Sequence, residues 1–248
     1  MNIIKSILSV SQNKPTNPNR NELLDFLRGG AMILVLLHHS GFPFGGWILA
    51  FHMPLFFILS GFTEGERNSY KGQPFGSFVF KRFKRLILPY FSFEIINLFI
   101  WYIKCIVSNE SIPVFSPFVS IIACINTDSY SGLCGRLWFL PCMFVSSIYL
   151  WIALRFIKTK HGLLCAAGFC LFCSWITTHI IPFRLPFTID TAFMSTAFML
   201  IGYVLYRPLS FFMEKSHCIT DIASCVLLLA ILFYTYRGNE ASMLMFYK

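Results

Sequence analysis

One apolar stretch of the chain carries an arginine near one end and a histidine at the other. Arg28 lies inside the run Leu23–Leu37, and the pair His38–His39 follows it directly. On an α-helix the roughly eleven steps from Arg28 to His39 make about three turns, which places both side chains on one side, roughly 16 Å apart. Ionisable groups at membrane depth are costly and indicate function, and imidazole suits proton transfer near neutral pH. The spacing therefore predicts a helix with a cation near one end and a proton-transfer group near the other.

The composition predicts an integral membrane protein. Of the 248 residues 56% are hydrophobic and only 12% are charged, whereas a soluble domain usually has about 25% charged residues. The apolar runs are too many and too long for one soluble core. Apolar and polar residues do not alternate with the period of two that a transmembrane β-barrel would show. The predicted fold class is an all-α integral membrane protein, a bundle of about seven to eight transmembrane helices.

The net charge of +9 does not indicate nucleic-acid binding, because the cations lie in loops between apolar runs. With the N-terminus inside, fifteen of the 20 lysines and arginines fall in inside segments and only four in outside segments. The positive-inside rule therefore predicts a multi-pass protein with a cytoplasmic N-terminus. The expected location is a bacterial-type plasma (inner) membrane. Residues 1–20 are interpreted as a cytoplasmic tail, and residues 21–248 as one multi-spanning membrane domain.

Seven apolar runs predict the membrane spans. A basic loop, Glu64–Arg85, separates the second span from the third, and a polar stretch, Val107–Arg136, separates the third from the fourth. The polar stretch contains a short apolar piece, Val114–Ile125, which suits a re-entrant or interfacial segment better than a span. The predicted spans are Leu23–Ser40, Trp47–Phe62, Leu86–Ile106, Leu137–Ile157, Gly162–Ile181, Thr191–Tyr206 and Ile219–Tyr236.

The basic loop contains two arginines at helical spacing. Arg82 and Arg85 are three residues apart, so a helix would place both on one face. One interpretation is ordinary positive-inside charge beside anionic lipid. The other is a clamp for the phosphates of a nucleotide-type ligand, because the planar guanidinium matches phosphate geometry.

Four other residues are candidates for a structural or functional role, and two of them, His52 and Asp190, allow two interpretations. His52, among aromatic residues near the outer end of the second span, is either a packed structural histidine or a second catalytic imidazole. Ser60 and its neighbour Gly61 predict a close helix contact. Trp138 at the start of a span suits an interfacial anchor. Asp190 at a helix start is either an N-cap or a group that binds a substrate hydroxyl or orients an imidazole. No metal site is predicted.

Several segments, taken in order, resemble the acyltransferase family 3 membrane proteins, which O-acylate glycans. The run from Asp190-Thr-Ala-Phe193 to Gly202-Tyr-Val-Leu205 is similar to the sugar acetylase branch of that family. The resemblance extends over about residues 22–206. The other matching segments are Leu24-Asp-Phe-Leu-Arg-Gly-Gly30 with the following His39, Phe51-His-Met-Pro-Leu-Phe-Phe-Ile-Leu-Ser-Gly-Phe62, Lys81-Arg-Phe-Lys-Arg-Leu-Ile-Leu-Pro-Tyr90 and Leu137-Trp-Phe-Leu-Pro141.

The resemblance implies a role for each matching residue. Arg28 and His39 match the family's first-span pattern, in which the histidine is the catalytic base. Arg82 and Arg85 match its cytoplasmic pattern for binding the acyl donor. His38 does not fit the spacing, so His39 is favoured, and His38, His52, Ser60, Trp138 and Asp190 are supporting candidates.

The predicted function is a membrane O-acyltransferase that moves an acetyl group from acetyl-CoA to a hydroxyl of a cell-surface glycan or lipid-linked sugar precursor. Acetyl-CoA is expected as a substrate, and no bound cofactor is expected. Membrane lipid is expected to surround the protein. At about 20 residues for each membrane span, the chain offers fewer spans than the roughly ten that are usual in the family. Two alternatives stay open, a proton-coupled transporter and an inactive truncated family member.

Overall fold

The computed structural model of the chain describes residues 22–41, 45–68, 70, 72–109, 115–124, 137–181, 183 and 185–215, which are helical apart from short connections. The α-helices are α1 (Glu22–His39), α2 (Gly45–Arg67), α3 (Phe75–Arg82), α4 (Leu88–Ser108), α5 (Phe115–Ala123), α6 (Phe139–Phe156), α7 (Lys160–Ile180) and α8 (Ile189–Lys215). A π-helical segment, Phe83–Ile87, joins α3 to α4, and a short 3₁₀ turn, Pro186–Thr188, precedes α8.

The all-α class is confirmed for the described residues, and each of the first six predicted spans coincides with a helix. Within the described part of the chain, four helical stretches are long and apolar enough to cross a membrane, so the predicted count of seven to eight is not confirmed. These four stretches are Phe75–Ser108, Phe139–Phe156, Lys160–Ile180 and Pro186–Tyr206. The predicted tail 1–20 and the seventh span Ile219–Tyr236 lie outside the described residues.

The prediction of a basic loop over Glu64–Arg85 is wrong at both ends. Helix α2 continues to Arg67, and α3 begins at Phe75 and runs through the π segment into the third span. Phe78 is the buried side chain of α3, and the cations Lys81 and Arg82 lie in the last turn of this helix. The i→i+5 bonding of a π segment widens the turn and changes the face on which each following residue lies.

The core forms where α8 packs against α2, α6 and α7. Gly61 of α2 lies directly on the Met199 carbonyl of α8, and Gly202 of α8 lies on the Ile58 carbonyl of α2. Small residues at a crossing let two backbones approach closely in a membrane. The predicted close contact at Ser60-Gly61 is therefore confirmed for Gly61.

Candidate functional site

Helices α1 and α2 form an antiparallel pair that is tied together at both ends. Near one end Arg28 Nη2 donates a hydrogen bond to Thr63 Oγ1, which itself donates to the Leu59 carbonyl at 2.7 Å. Near the other end the rings of His38 and His52 lie 5.5 Å apart. The helix rise places these two ends roughly 15 Å apart along α1.

The first end gathers four arginines, Arg28, Arg67, Arg82 and Arg85, here called the arginine cluster. Arg28 lies within electrostatic range of Arg67 and Arg85, and Arg82 lies within range of the same two residues. Arg28 also pairs with Asp25 at 3.4 Å within α1. Cations from three separate segments of the chain therefore meet in one region, which favours a ligand with several negative charges.

Arg82 is the most enclosed of the ion-paired arginines in this cluster. Its Nη2 donates to Glu64 Oε2 at 3.1 Å, and the Glu64 side chain is only 7% exposed. Its guanidinium carbon also lies 5.3 Å from the centre of the Phe78 ring. Arg85, inside the π segment, is exposed. The structure brings Arg82 and Arg85 to the same region, but it gives them different environments rather than one shared face.

The other end carries the histidine cluster, made of His38, His39 and His52. The His38 ring lies between the other two, 4.9 Å from His39 and 5.5 Å from His52. His52 is 1% exposed, and its Nδ1 lies 2.7 Å from the Ile48 carbonyl. Because a carbonyl oxygen only accepts, Nδ1 of His52 donates and carries its proton. His39 is exposed and His38 is half-buried. The three imidazoles at this end therefore differ in how accessible they are.

Trp138 differs from the interfacial anchor that the sequence suggested. It is 8% exposed and belongs to the main core, together with Phe57 and Cys142. The reason is that its neighbour Phe139 packs against α2, with ring centres 5.2 Å from Phe57, so α2 covers the start of α6.

Asp190 lies in the first turn of α8, not at the position before the helix where an N-cap belongs. Its Oδ1 accepts from the Thr191 backbone N–H at 2.9 Å, and the side chain is 2% exposed. It also lies within electrostatic range of Cys142 on α6. Ser60 is half-buried beside Gly61.

The sequence did not indicate Thr63 and Glu64, which accept hydrogen bonds from Arg28 and Arg82, respectively. Both lie in the last turns of α2, where the sequence Thr63-Glu-Gly-Glu-Arg67 follows the apolar span. Two carboxylates beside a basic segment were the available signal, because a carboxylate at a membrane boundary needs a partner. Among the described residues no group of three or more His, Cys, Asp or Glu is placed to hold a metal ion.

Comparison with known protein families gives a match over most of the chain. A family model described as an acyltransferase domain matches residues 21–248. The chain therefore belongs to acyltransferase family 3, a family of membrane acyltransferases. It has no significant match among the curated proteins or among the solved structures.

Proposed function

We propose that the protein transfers an acetyl group from acetyl-CoA to a hydroxyl of a cell-surface glycan or its lipid-linked precursor. The observation that carries the proposal is the separation of two clusters along one helix pair. The arginine cluster suits the phosphates of the donor, and the histidine cluster suits proton transfer. Membership of an acyltransferase family supports the class of reaction.

The donor fits this separation in length and charge. Its phosphates would contact the arginine cluster at the cytoplasmic side that the charge distribution predicts. Its extended pantetheine arm is comparable in length to the roughly 16 Å rise between Arg28 and His39. The thioester would then reach the histidine cluster while the nucleotide end stays near the membrane surface.

His39 is the proposed general base. The acceptor oxygen attacks the thioester carbonyl as His39 takes its proton, the new C–O bond forms, and the C–S bond breaks. The imidazolium then returns the proton to the departing thiolate, which leaves as the free thiol. An acyl-imidazole intermediate would give the same products in two steps.

The environment of the three histidines supports this assignment. His39 is the exposed member, whereas His52 is buried with its Nδ1 engaged by the Ile48 carbonyl. His38 is half-buried between them and is the alternative base. A buried imidazole with one nitrogen already bonded is better suited to fix its neighbour than to meet an incoming hydroxyl.

A reconstituted assay tests the proposal. Purified protein in liposomes would receive acetyl-CoA labelled in the acetyl group, together with a membrane glycan fraction as acceptor. Label in the glycan, absent with Arg82→Ala, supports the acyltransferase. Proton flux across the liposomes without label transfer would contradict it and favour a transporter.

A further inference from the structure

A cavity of about 480 Å³ lies beside the arginine cluster and has no part in the chemistry described so far. It is bounded by four segments, which are the end of α2, the connection from α2 to α3, the connection between α6 and α7, and the middle of α8. Small-molecule sites commonly enclose about 300–1,000 Å³. The cavity is therefore large enough for a ligand of nucleotide size.

The charge around the cavity is predominantly positive. Arg155, Lys158 and Lys160 line it, and Glu66 is the carboxylate on its wall. Lys158 Nζ donates to the Leu154 carbonyl at 3.1 Å in the last turn of α6, which holds the ammonium at the cavity. Three cations against one carboxylate favour an anionic ligand.

The cavity also presents aromatic surface. Tyr70 and Tyr203 line it with their hydroxyl oxygens 2.6 Å apart and their rings tilted edge to face at 6.0 Å. Tyr206 packs tightly against Gly65, where a methyl group would come within 2.7 Å of the tyrosine Cβ. Fixed aromatic rings beside cations are the combination that binds nucleobases and their phosphates.

The last turns of α2 separate this cavity from the ion pair of the arginine cluster. Glu64 bonds Arg82, Gly65 and Glu66 line the cavity, and Glu66 lies within electrostatic range of Arg28. The cavity and the arginine cluster therefore adjoin each other at the end of α2.

We propose that this cavity holds the nucleoside end of the acyl donor. The adenine would stack on the tyrosines, and the ribose 3′-phosphate would contact Lys158 and Lys160. The diphosphate would remain at the arginine cluster. This inference rests on the proposed function, since it takes a CoA thioester as the donor, and it adds the part of the protein that recognises the nucleotide.

The test compares CoA with 3′-dephospho-CoA by titration calorimetry, using the full chain in nanodiscs of phosphatidylcholine. The wild type should bind CoA about tenfold more tightly, because a charge-assisted contact to the 3′-phosphate is then made. The double variant Lys158→Ala/Lys160→Ala should bind both ligands alike, at the affinity of the wild type for 3′-dephospho-CoA. Lys104→Ala, a cation on α4 away from the cavity, is the control for charge and should behave as the wild type.

The outcomes separate this inference from the proposed function. If the wild type binds CoA and the double variant keeps the tenfold preference, the nucleotide site is refuted while the donor assignment stands. If the wild type binds neither ligand, both proposals fail. If labelled phosphatidylglycerol is retained by the wild type and lost by the double variant, with CoA binding unchanged, the cavity binds lipid phosphate and the inference is overturned.

Discussion

Glu64 and Arg82 form an ion pair at 3.1 Å that joins the end of α2 to the end of α3. The Glu64 side chain is 7% exposed and that of Arg82 24%, so neither charge is fully hydrated. Removing one partner of such a pair leaves the other charge uncompensated at low hydration. The pair therefore fixes the basic segment against the helix hairpin that carries both clusters.

Breaking this pair should destabilise the protein. We expect Glu64→Ala to cost about 2 kcal/mol of unfolding free energy, below the usual range for a fully buried pair because Arg82 is partly exposed. The measurement is unfolding in mixed micelles for both single variants and the double variant. The coupling should exceed about 1 kcal/mol, whereas the more hydrated pair of Asp25 and Arg28, which lies within one helix at a longer distance, should give about 0.5 kcal/mol. Equal coupling in both pairs would contradict the account.

The crossing of α2 and α8 should tolerate no side chain at its centre. Gly61→Ala and Gly202→Ala each place a methyl group on a backbone carbonyl of the opposite helix, so the helices must separate. We expect a loss of more than about 3 kcal/mol or failure to accumulate in the membrane. Gly168→Ala on α7 is the matched control, since its methyl group meets nothing within 4 Å. It should be neutral or more stable by up to about 1 kcal/mol.

The predicted orientation can be measured with reporter fusions. Alkaline phosphatase, which is active outside the cytoplasm, should be active when fused after Asn109 and inactive after Asn68 or Thr159. A fluorescent protein that matures inside should give the opposite pattern. The reason is the clustering of Arg67, Lys158 and Lys160 on the side predicted to be cytoplasmic. Activity of the phosphatase after Asn68 would reverse the topology and separate the arginine cluster from cytoplasmic acetyl-CoA.

His52 should act as a positioning residue. In His52→Asn the amide nitrogen overlays Nδ1 and can still donate to the Ile48 carbonyl, so stability should change little. His52→Ala loses that bond and leaves a cavity in a site that is 1% exposed, which should cost about 2 kcal/mol. Acetyl transfer should follow the same order, with the asparagine variant retaining more than the alanine variant. Loss of activity in both with full stability would instead place His52 in the chemistry.

The apolar runs predicted the helices because each segment that lies in lipid must be apolar over most of its length. Phe139–Phe156 and Lys160–Ile180 lie within two residues of the spans predicted from hydropathy. The burial of His52 was also predictable, since a histidine among aromatic residues usually packs. Gly61 was predicted as a close contact from residue size alone.

What the sequence did not reveal depends on contacts between distant segments. Glu64 read as a loop carboxylate until α2 proved to continue to Arg67 and to meet Arg82, 18 residues away. The π segment at Phe83–Ile87 has no residue pattern of its own, and it changes the relation between Arg82 and Arg85. Trp138 looked interfacial because nothing local shows that α2 covers it. The walls of the nucleotide-sized cavity come from four separate segments of the chain, so no local sequence pattern predicts it.

The most direct test of the central claim is acetyl transfer from labelled acetyl-CoA into surface glycan by cells expressing the wild type or His39→Ala at equal membrane levels. His161→Ala, an exposed histidine at the start of α7, controls for loss of an imidazole. We expect label with the wild type and the control, and none with His39→Ala. Full labelling by His39→Ala would contradict the assignment of His39 as the base and move that role to His38.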